Sequence, residues 1–264
     1  ELQQTGAADK AYTQFGWVDD EAMDAFVWGD RLILADDVKY NPPSGKTSFA
    51  IEYMQPHGSA ERQKEIMSFF NRDGLELHQF VVGMGFASPL MSLTGLFSFL
   101  AHLNGGSGVG KTTALYSNTG IWGKPVEMCI GSNDTMYSRQ NRSERFKNVV
   151  CNADEQSDIT PKEVSKFCYS SAEGKQRNRL KSSGNEERHR GDPWRLTGCS
   201  TGNVSFWELL QRERSNPEAQ MQRILEFTVD KYMTEDRMKE LNKREGFSIS
   251  KTAHLFDDVQ KNYG

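Results

Sequence analysis

Gly105-Gly106-Ser107-Gly108-Val109-Gly110-Lys111-Thr112 reads G-x-x-x-x-G-K-T, and no other feature restricts the fold of this 264-residue chain so tightly. In a chain of this composition, roughly 0.02 such matches arise by chance. The pattern needs a strand before it and a helix after it. The uncharged run Leu96-Phe97-Ser98-Phe99-Leu100-Ala101-His102-Leu103 suits a buried parallel strand, and Thr113-Ala114-Leu115-Tyr116 can begin a helix. The glycines let successive backbone N–H groups turn inward around phosphate oxygens, and the helix N-terminus adds positive potential. The pattern predicts a nucleoside triphosphate loop over Gly105, Gly106, Ser107, Gly108, Val109, Gly110, Lys111, Thr112 and Thr113. Lys111 would reach the β and γ phosphates, and the Thr112 hydroxyl would ligate Mg²⁺. The alternative, a glycine-rich turn that happens to end in Lys-Thr, does not explain the flanking strand and helix signals.

The length suits one large domain, or a core with a smaller appendage. Charged residues make up 26% of the chain and the net charge is −4, so any nucleic-acid site must be a local patch. Cys129, Cys151, Cys168 and Cys199 form no C-x-x-C pair, and no cysteine or histidine cluster has metal-finger spacing. They read as reduced thiols of a cytoplasmic protein. His57, His78, His102, His189 and His254 are scattered and read as structural. No signal peptide is visible, and a chain that begins at Glu1 reads as part of something longer. From His78 to Gly110 no Asp, Glu, Lys or Arg occurs, but Gly83, Gly85, Pro89 and Gly95 break the stretch. It reads as a buried helix, a turn at Ala87-Ser88-Pro89, a short helix and the core strand, not as a membrane span of about 20 residues.

Three regions follow from the patterning. Residues 1–90 read as a small mixed α+β region, with strands at Arg31–Leu34 and Ser48–Tyr53 and a helix over Ala60–Phe70 capped by Ser59. Residues 91–230 alternate strand and helix signals, which implies a parallel sheet with helices on its faces. After the loop come strands at Val126–Ile130, Asn148–Cys151, Arg195–Ser200 and Ile224–Val229, with helices over Asp134–Phe146, Pro161–Ser171 and from Ser205. Residues 231–264 are a charged, helical tail. The predicted class is α/β.

Three further constellations carry chemistry. Val149-Val150-Cys151-Asn152-Ala153-Asp154-Glu155 is an apolar run ending in two acids, about 40 residues after the loop. Asp154 would hold Mg²⁺ through water and Glu155 would polarise the attacking water. Asn152 and Ala153 are unusual core residues, so a solvated turn is the competing reading. Cys199-Ser200-Thr201-Gly202-Asn203 ends a strand, where Thr201 or Asn203 could sense a γ-phosphate. Equally, Asn203 or Ser205 could simply cap the next helix. Finally, Lys175, Arg177, Arg179, Lys181, Arg188 and Arg190 make a basic run. Arg177 or Arg179 could enter a neighbour's site as an arginine finger, and Lys175, Arg179 and Lys181 could hold a nucleic-acid backbone. A solvated charged loop explains the run as well. Arg223 is a weaker candidate for sensing nucleotide.

Together these residues resemble a family of ATPase domains of uncharacterised function from phage and plasmid proteins. Such a domain is often the helicase-like C-terminal part of a primase-helicase (a P-loop NTPase of AAA+ or superfamily-3 type). The likeness includes Phe15-Gly16-Trp17, Phe26-Val27-Trp28-Gly29, Ala87-Ser88-Pro89-Leu90, the glycine loop and Ile121-Trp122-Gly123-Lys124-Pro125. It continues through Asn133-Asp134-Thr135, Asp154-Glu155, Gly174-Lys175-x-Arg177, Trp194-Arg195 and Ser200-Thr201-Gly202. Asn152-Ala153 before the acids, and Asn203 where the family commonly carries an acid, depart from it. Asn262-Tyr263-Gly264 is similar to the start of a family segment that continues further. The resemblance implies a hexameric or other ring-shaped, ATP-driven motor that translocates on single-stranded or forked DNA in replication, fused to or partnered with a primase. Competing readings are an ATPase that remodels or assembles a protein or packaging complex, and a small-molecule kinase. The adjacent acids favour water over a kinase acceptor. A GTP switch lacks support, since Asn242-Lys243-Arg244-Glu245 is not N-K-x-D.

Overall fold

The computed structural model describes residues 11–175, 193–213, 216–231, 234–245 and 249–264. An antiparallel meander opens the chain, with β1 (Gly16–Trp17), β2 (Ala25–Trp28), β3 (Arg31–Leu34) and β4 (Val38–Tyr40) in sequential order. Three helices follow: α1 (Ser48–Ile51), α2 (Ala60–Phe69) and α3 (Glu76–Ala87). A 3₁₀ turn over Ser88–Leu93 leads into β5 (Ser98–Asn104), and α4 (Lys111–Thr119) leaves the glycine loop. Then come α5 (Pro125–Met128), α6 (Met136–Phe146), α7 (Pro161–Glu173), β6 (Leu196–Gly202) and α8 (Phe206–Gln211). The chain finishes with α9 (Glu218–Met221), β7 (Leu225–Thr228), α10 (Glu235–Glu245) and α11 (Ile249–Lys261). Among the described residues, no helix is long and apolar enough to cross a membrane.

The second sheet is parallel, in the order β6-β5-β7, with Ala101 of β5 facing Cys199 on one side and Leu225 on the other. All seven residues of β6 are buried, which is why the strand runs through Thr197, Gly198 and Cys199 without a polar face. Alternation along β5 divides the core. Ala101 and Leu103 pack with α3, α4 and α11, while Leu100 packs with Val164, Cys168, Phe206 and Leu210 of α7 and α8. Helices therefore cover both faces, as a parallel sheet requires.

Residues 151–154 extend this sheet beyond β6. Cys151 N–H donates to Thr197 O at 3.1 Å, Ala153 N–H to Cys199 O at 2.9 Å, and Thr201 N–H to Ala153 O at 3.0 Å. One rung differs: Cys199 N–H donates to the Asn152 side-chain Oδ1 at 2.8 Å. That substitution breaks the regular ladder, so Asn148–Cys151 is not the continuous strand that the apolar run predicts. Ala153 instead forms single bridges to Ser200 and to Ile130. Val126–Ile130, expected as a strand, is mostly α5. Pro125 at the first helical position presets a helical turn, and only Ile130 keeps sheet pairing.

Ser48–Tyr53, also expected as a strand, is α1. A turn closed by Thr47 N–H on Ser44 O at 3.1 Å starts it, and its one buried residue, Ala50, joins the core of the first sheet. Tryptophans fasten that sheet to the rest: the indole N–H groups of Trp17, Trp28 and Trp122 donate to Pro89 O, Trp122 O and Gly85 O, each at 2.9 Å. The other expected helices and strands lie within a few residues of their predicted positions, while the patterning does not predict β1, β2 and β4. The Ser59 hydroxyl caps α2, Thr160 and Glu163 form a capping box on α7, and the tail is helical. All four cysteines are free.

Candidate functional site

Three chain segments end together at the carboxyl edge of the parallel sheet. The first is the turn from β5 into α4. Gly105, Gly108 and Gly110 have φ of +146°, +75° and +91°, in the region that L side chains avoid. Gly110 also lacks room: a Cβ there would lie 3.1 Å from His78 Nε2. His78, from α3, donates through Nε2 to Val109 O at 3.0 Å and so supports the back of the loop. An acceptor carbonyl fixes the proton on Nε2. Burial pushes the His78 pKa down and keeps the ring neutral, with the bond to Val109 opposing. Gly106, Ser107 and Gly108 are exposed at the tip, whereas Val109 is buried beneath it.

Lys111, the first residue of α4, is 7% exposed, and its ammonium donates to Gly105 O and Gly106 O, both at 2.7 Å, and to Asn203 Oδ1 at 3.3 Å. Burial lowers its pKa, and the charges of Glu155 and Asp154 oppose that shift. Thr112 follows with its hydroxyl donating to Asp154 Oδ1 at 3.2 Å. Thr113 is half-buried in the first turn, and its carbonyl accepts from the Ser117 hydroxyl at 2.9 Å.

The second segment carries the acids. Asp154 Oδ1 accepts from Thr112 Oγ1, from Thr201 Oγ1 at 2.5 Å and from Glu155 N–H at 3.1 Å. Burial raises the pKa of the adjacent Tyr116 phenol, with the charge of Asp154 adding to the shift. Glu155 has φ of +48°, rare for a residue with a side chain, at a cost of about 1–2 kcal/mol. The Ser157 hydroxyl holds its carboxylate, and the same oxygen accepts from Asn203 N–H at 2.9 Å.

Asn152 sets the position of these acids. It is 1% exposed and fully bonded: Nδ2 donates to Asn118 Oδ1 at 2.6 Å and Thr119 Oγ1 at 2.8 Å, while Oδ1 takes the Cys199 N–H. The acid segment is thereby joined both to the end of α4 and to β6. Asn152 looked like a flaw in a hydrophobic strand, yet it is an amide link between two neighbours.

The third segment is the end of β6. Thr201 bonds Asp154 and accepts from Glu155 N–H at 3.1 Å, and Asn203 faces Lys111. Beneath this turn His102 is fully buried, stacked on Phe206 at 3.6 Å between centroids. Its Nε2 donates to Val204 O at 3.1 Å, so Nδ1 accepts from Ser200 Oγ at 2.9 Å. Burial lowers its pKa and keeps the imidazole neutral.

The structure thus brings Lys111, Thr112, Asp154, Glu155, Thr201 and Asn203 together. Lys175 lies elsewhere: Gly174, which caps α7, packs on Phe97 at the opposite end of β5, a strand length of about 20 Å away. Arg223 lies over the Tyr169 ring at 4.6 Å and does not join the site. Arg177, Arg179 and Lys181 lie outside the described residues. Sequence reasoning missed His78, Asn152 and Ser157. Only Asn152, a lone amide in an apolar run next to two acids, carried a signal.

Chemically, this edge offers what a Mg²⁺–triphosphate complex needs. There is an ammonium beside a glycine turn at a helix N-terminus, with a hydroxyl and a carboxylate as hard oxygen donors. Two protein ligands are few for a metal cage, and among the described residues no cluster of three or more His, Cys, Asp or Glu could hold a metal ion. Such a sparse donor set fits Mg²⁺, which keeps waters and phosphate oxygens in its shell.

A family model described as a domain of unknown function, DUF927, matches residues 1–191. No curated protein matches the chain. Among solved structures, the SCCmec type IV Cch active helicase is similar, with a TM-score of 0.63 and 15% identity, over 95% of this chain and 44% of that one. The apo C-terminal region of NrS-1 matches with a TM-score of 0.43, 11% identity, and 88% and 50% of the two chains. The JCV helicase matches with a TM-score of 0.41, 9% identity, and 77% and 52%. The likeness to Cch is one of fold, and this chain spans less than half of Cch's length.

Proposed function

The chain belongs to the DUF927 family, and on that premise we propose that it is the ATP-hydrolysing motor domain of a DNA helicase or translocase that acts in replication. The observation that carries the reading is the convergence of Lys111, Thr112, Asp154, Glu155 and Asn203 at one edge of a parallel sheet. In this reading residues 91–230 form a P-loop ATPase core, residues 1–90 a smaller α+β region in front of it, and residues 231–264 a helical tail. Gly105–Gly110 and Thr113 cradle the phosphates, and Lys111 exchanges the Gly105 and Gly106 carbonyls for β and γ phosphate oxygens. Thr112 and Asp154 would hold Mg²⁺, which would supply charge neutralisation at the phosphates. Glu155 leaves Ser157, orients a water and takes its proton, while Asn203 contacts the γ-phosphate.

Arg177 or Arg179 completes the site from the next subunit of a hexamer or other ring, and Lys175, Arg179 and Lys181 hold the DNA backbone. The separation of Lys175 from the glycine loop favours such a division of labour. One end of the sheet handles nucleotide and the other begins the basic run. The full protein works in the cytoplasm, with a primase fused or associated. The test is ATPase rate with and without single-stranded DNA, alongside mass in solution. Stimulation that weakens steeply with salt supports backbone binding. Glu155→Gln should abolish hydrolysis and spare ATP binding. Unstimulated hydrolysis by a strict monomer at all concentrations would overturn the motor reading, and a protein partner would then become the object of the ATPase.

A further inference from the structure

Glu226, at the middle of β7, is half-buried and lies outside every motif discussed above. Its carboxylate joins two elements that flank the site. Oε1 accepts from Asn104 Nδ2 at 2.8 Å and from Phe206 N–H at 2.7 Å, and Oε2 accepts from Trp207 N–H at 3.0 Å. Asn104 is the last residue before Gly105, and Thr228 Oγ1 donates to its Oδ1 at 3.0 Å. Phe206 and Trp207 begin α8, immediately after the turn that carries Asn203.

Helix capping accounts for two of the carboxylate's three bonds, those from Phe206 N–H and Trp207 N–H, beside the Ser205 hydroxyl that accepts from Glu208 N–H at 3.2 Å. It does not account for the bond from Asn104 Nδ2, which reaches outside α8. Glu226 forms no ion pair among the described residues, so its charge is balanced by N–H donors alone. A carboxylate bonded to N–H groups from two segments makes strong, directional, charge-assisted bonds. The turn itself is held at Asn203 N–H by Ser157 and at Val204 O by His102. Among these contacts, the Glu226 bonds run directly to the strand residue from which the glycine loop departs.

We infer that Glu226 is a positioning residue for ATP hydrolysis, fixing Asn203 against Lys111 by tying the turn after β6 to the foot of the glycine loop. The inference rests on the ATPase reading. An error of about 1 Å in such a placement is enough to cost up to a hundredfold in rate. It need not weaken binding of a nucleotide whose phosphates rest mainly on backbone N–H groups.

The experiment compares the wild-type chain with Glu226→Ala, Glu226→Gln, Ser205→Ala, Asn104→Ala and the Asn104→Ala/Glu226→Ala double variant. Steady-state ATPase gives kcat and KM, and titration with fluorescent methylanthraniloyl-ADP gives Kd and the number of active sites. Glu226→Ala should lower kcat per bound nucleotide about tenfold or more, with Kd changed less than about threefold. Glu226→Gln, which keeps one acceptor oxygen, should fall between, and it replaces Glu226→Ala if that variant does not fold. Ser205→Ala weakens the same helix cap without touching Asn104 and should leave kcat per site unchanged. The double variant should lose little beyond Glu226→Ala. Equal rates in wild type and Glu226→Ala, an equal loss in Ser205→Ala, or fully additive losses in the double variant each overturn the inference alone. A wild-type chain that binds nucleotide but hydrolyses none, or binds none, overturns the ATPase reading and the inference with it.

Discussion

Replacing Asn152 by leucine tests whether a buried amide, not hydrophobic packing, holds the acid segment in register. The two side chains share the same branching and number of heavy atoms, so the change removes bonds and opens no cavity. Three buried groups then lose a bond: Cys199 N–H and Asn118 Oδ1, now bonded at 2.8 and 2.6 Å, lose their Asn152 partner, while Thr119 Oγ1 keeps its bond to Leu115 O. Each unsatisfied group costs about 1–3 kcal/mol. Burying the leucine side chain offsets about 1.5–3 kcal/mol of that. At mid-range values the net expectation is a loss of about 2 kcal/mol, or roughly 4–8 °C in Tm for a chain of this size. Urea titration followed by circular dichroism reads the stability directly. A second variant, Asn118→Leu, separates the explanations, because replacing both amides leaves no orphaned acceptor between them. The double variant should be less destabilised than the sum of the singles by about 1–2 kcal/mol. A leucine variant as stable as wild type, or strict additivity, would refute the argument that Asn152 links α4 to β6.

Gly198→Ala should destabilise by about 1–3 kcal/mol in the same urea assay, through overpacking. Its Cβ would lie 2.7 Å from Cys151 O and 2.9 Å from Leu100 Cδ2, one of which is backbone and cannot swing aside. Stability should also fall on acidification below about pH 6.5. His78 and His102 are held below the ordinary value of 6.5 in the folded chain, so the unfolded chain takes up their protons first. Their contribution is therefore complete above pH 6.5 and lost as pH falls toward the folded values, with a slope of at most about 1.4 kcal/mol per pH unit for each ring. His102→Gln should flatten that dependence between pH 5 and 7 in thermal melts, and an unchanged slope would count against a neutral buried His102.

The glycine loop was legible because its chemistry fixes residue type and spacing together. Phosphate needs inward N–H groups, these need positive φ, and positive φ needs glycine at set positions. The meeting of Asp154 with Thr112 accords with reading both as oxygen donors to one cation, although the sequence did not specify their direct bond. Secondary structure around them was less so. Ser48–Ile51 is a run of three apolar residues after Ser48, too short to separate a period of 2 from one of 3.6, and the turn at Ser44–Thr47 decided it. Val126–Ile130 reads as a strand by composition, but Pro125 carried the contrary signal and outweighed it. The tryptophans at 17, 28 and 122 were recognisable as motif residues without any role attached. Their task is indole donation to three carbonyls, two of which tie the first sheet to the 3₁₀ turn and to the loop after α4 and the third of which ties that loop to α3, and long-range bonds of that kind leave no trace in local periodicity.

What escaped the sequence most completely is the polar interior of the site. Hydrophobic patterning assumes that buried positions are apolar, yet Asn104, His102, Thr201 and Lys111 are buried at the carboxyl edge, and Asn118 and Asn152 beneath it. Each is tolerated there because partners from another segment satisfy it: Asn104 by Glu226 and Thr228, Asn152 by Asn118, Thr119 and Cys199, Thr201 by Asp154 and Glu155. A dry apolar packing would leave three strand ends free to slide by tenths of an ångström. Directional bonds between side chains of different segments constrain distance and angle at once. The same bonds join the glycine loop, the acid pair and the Asn203 turn into one unit. Displacement of Lys111 from the Gly105 and Gly106 carbonyls therefore has a direct route to Asn203, Ser157 and Glu155. In a motor of the kind proposed, that route is where binding of a triphosphate would be converted into release of the general base.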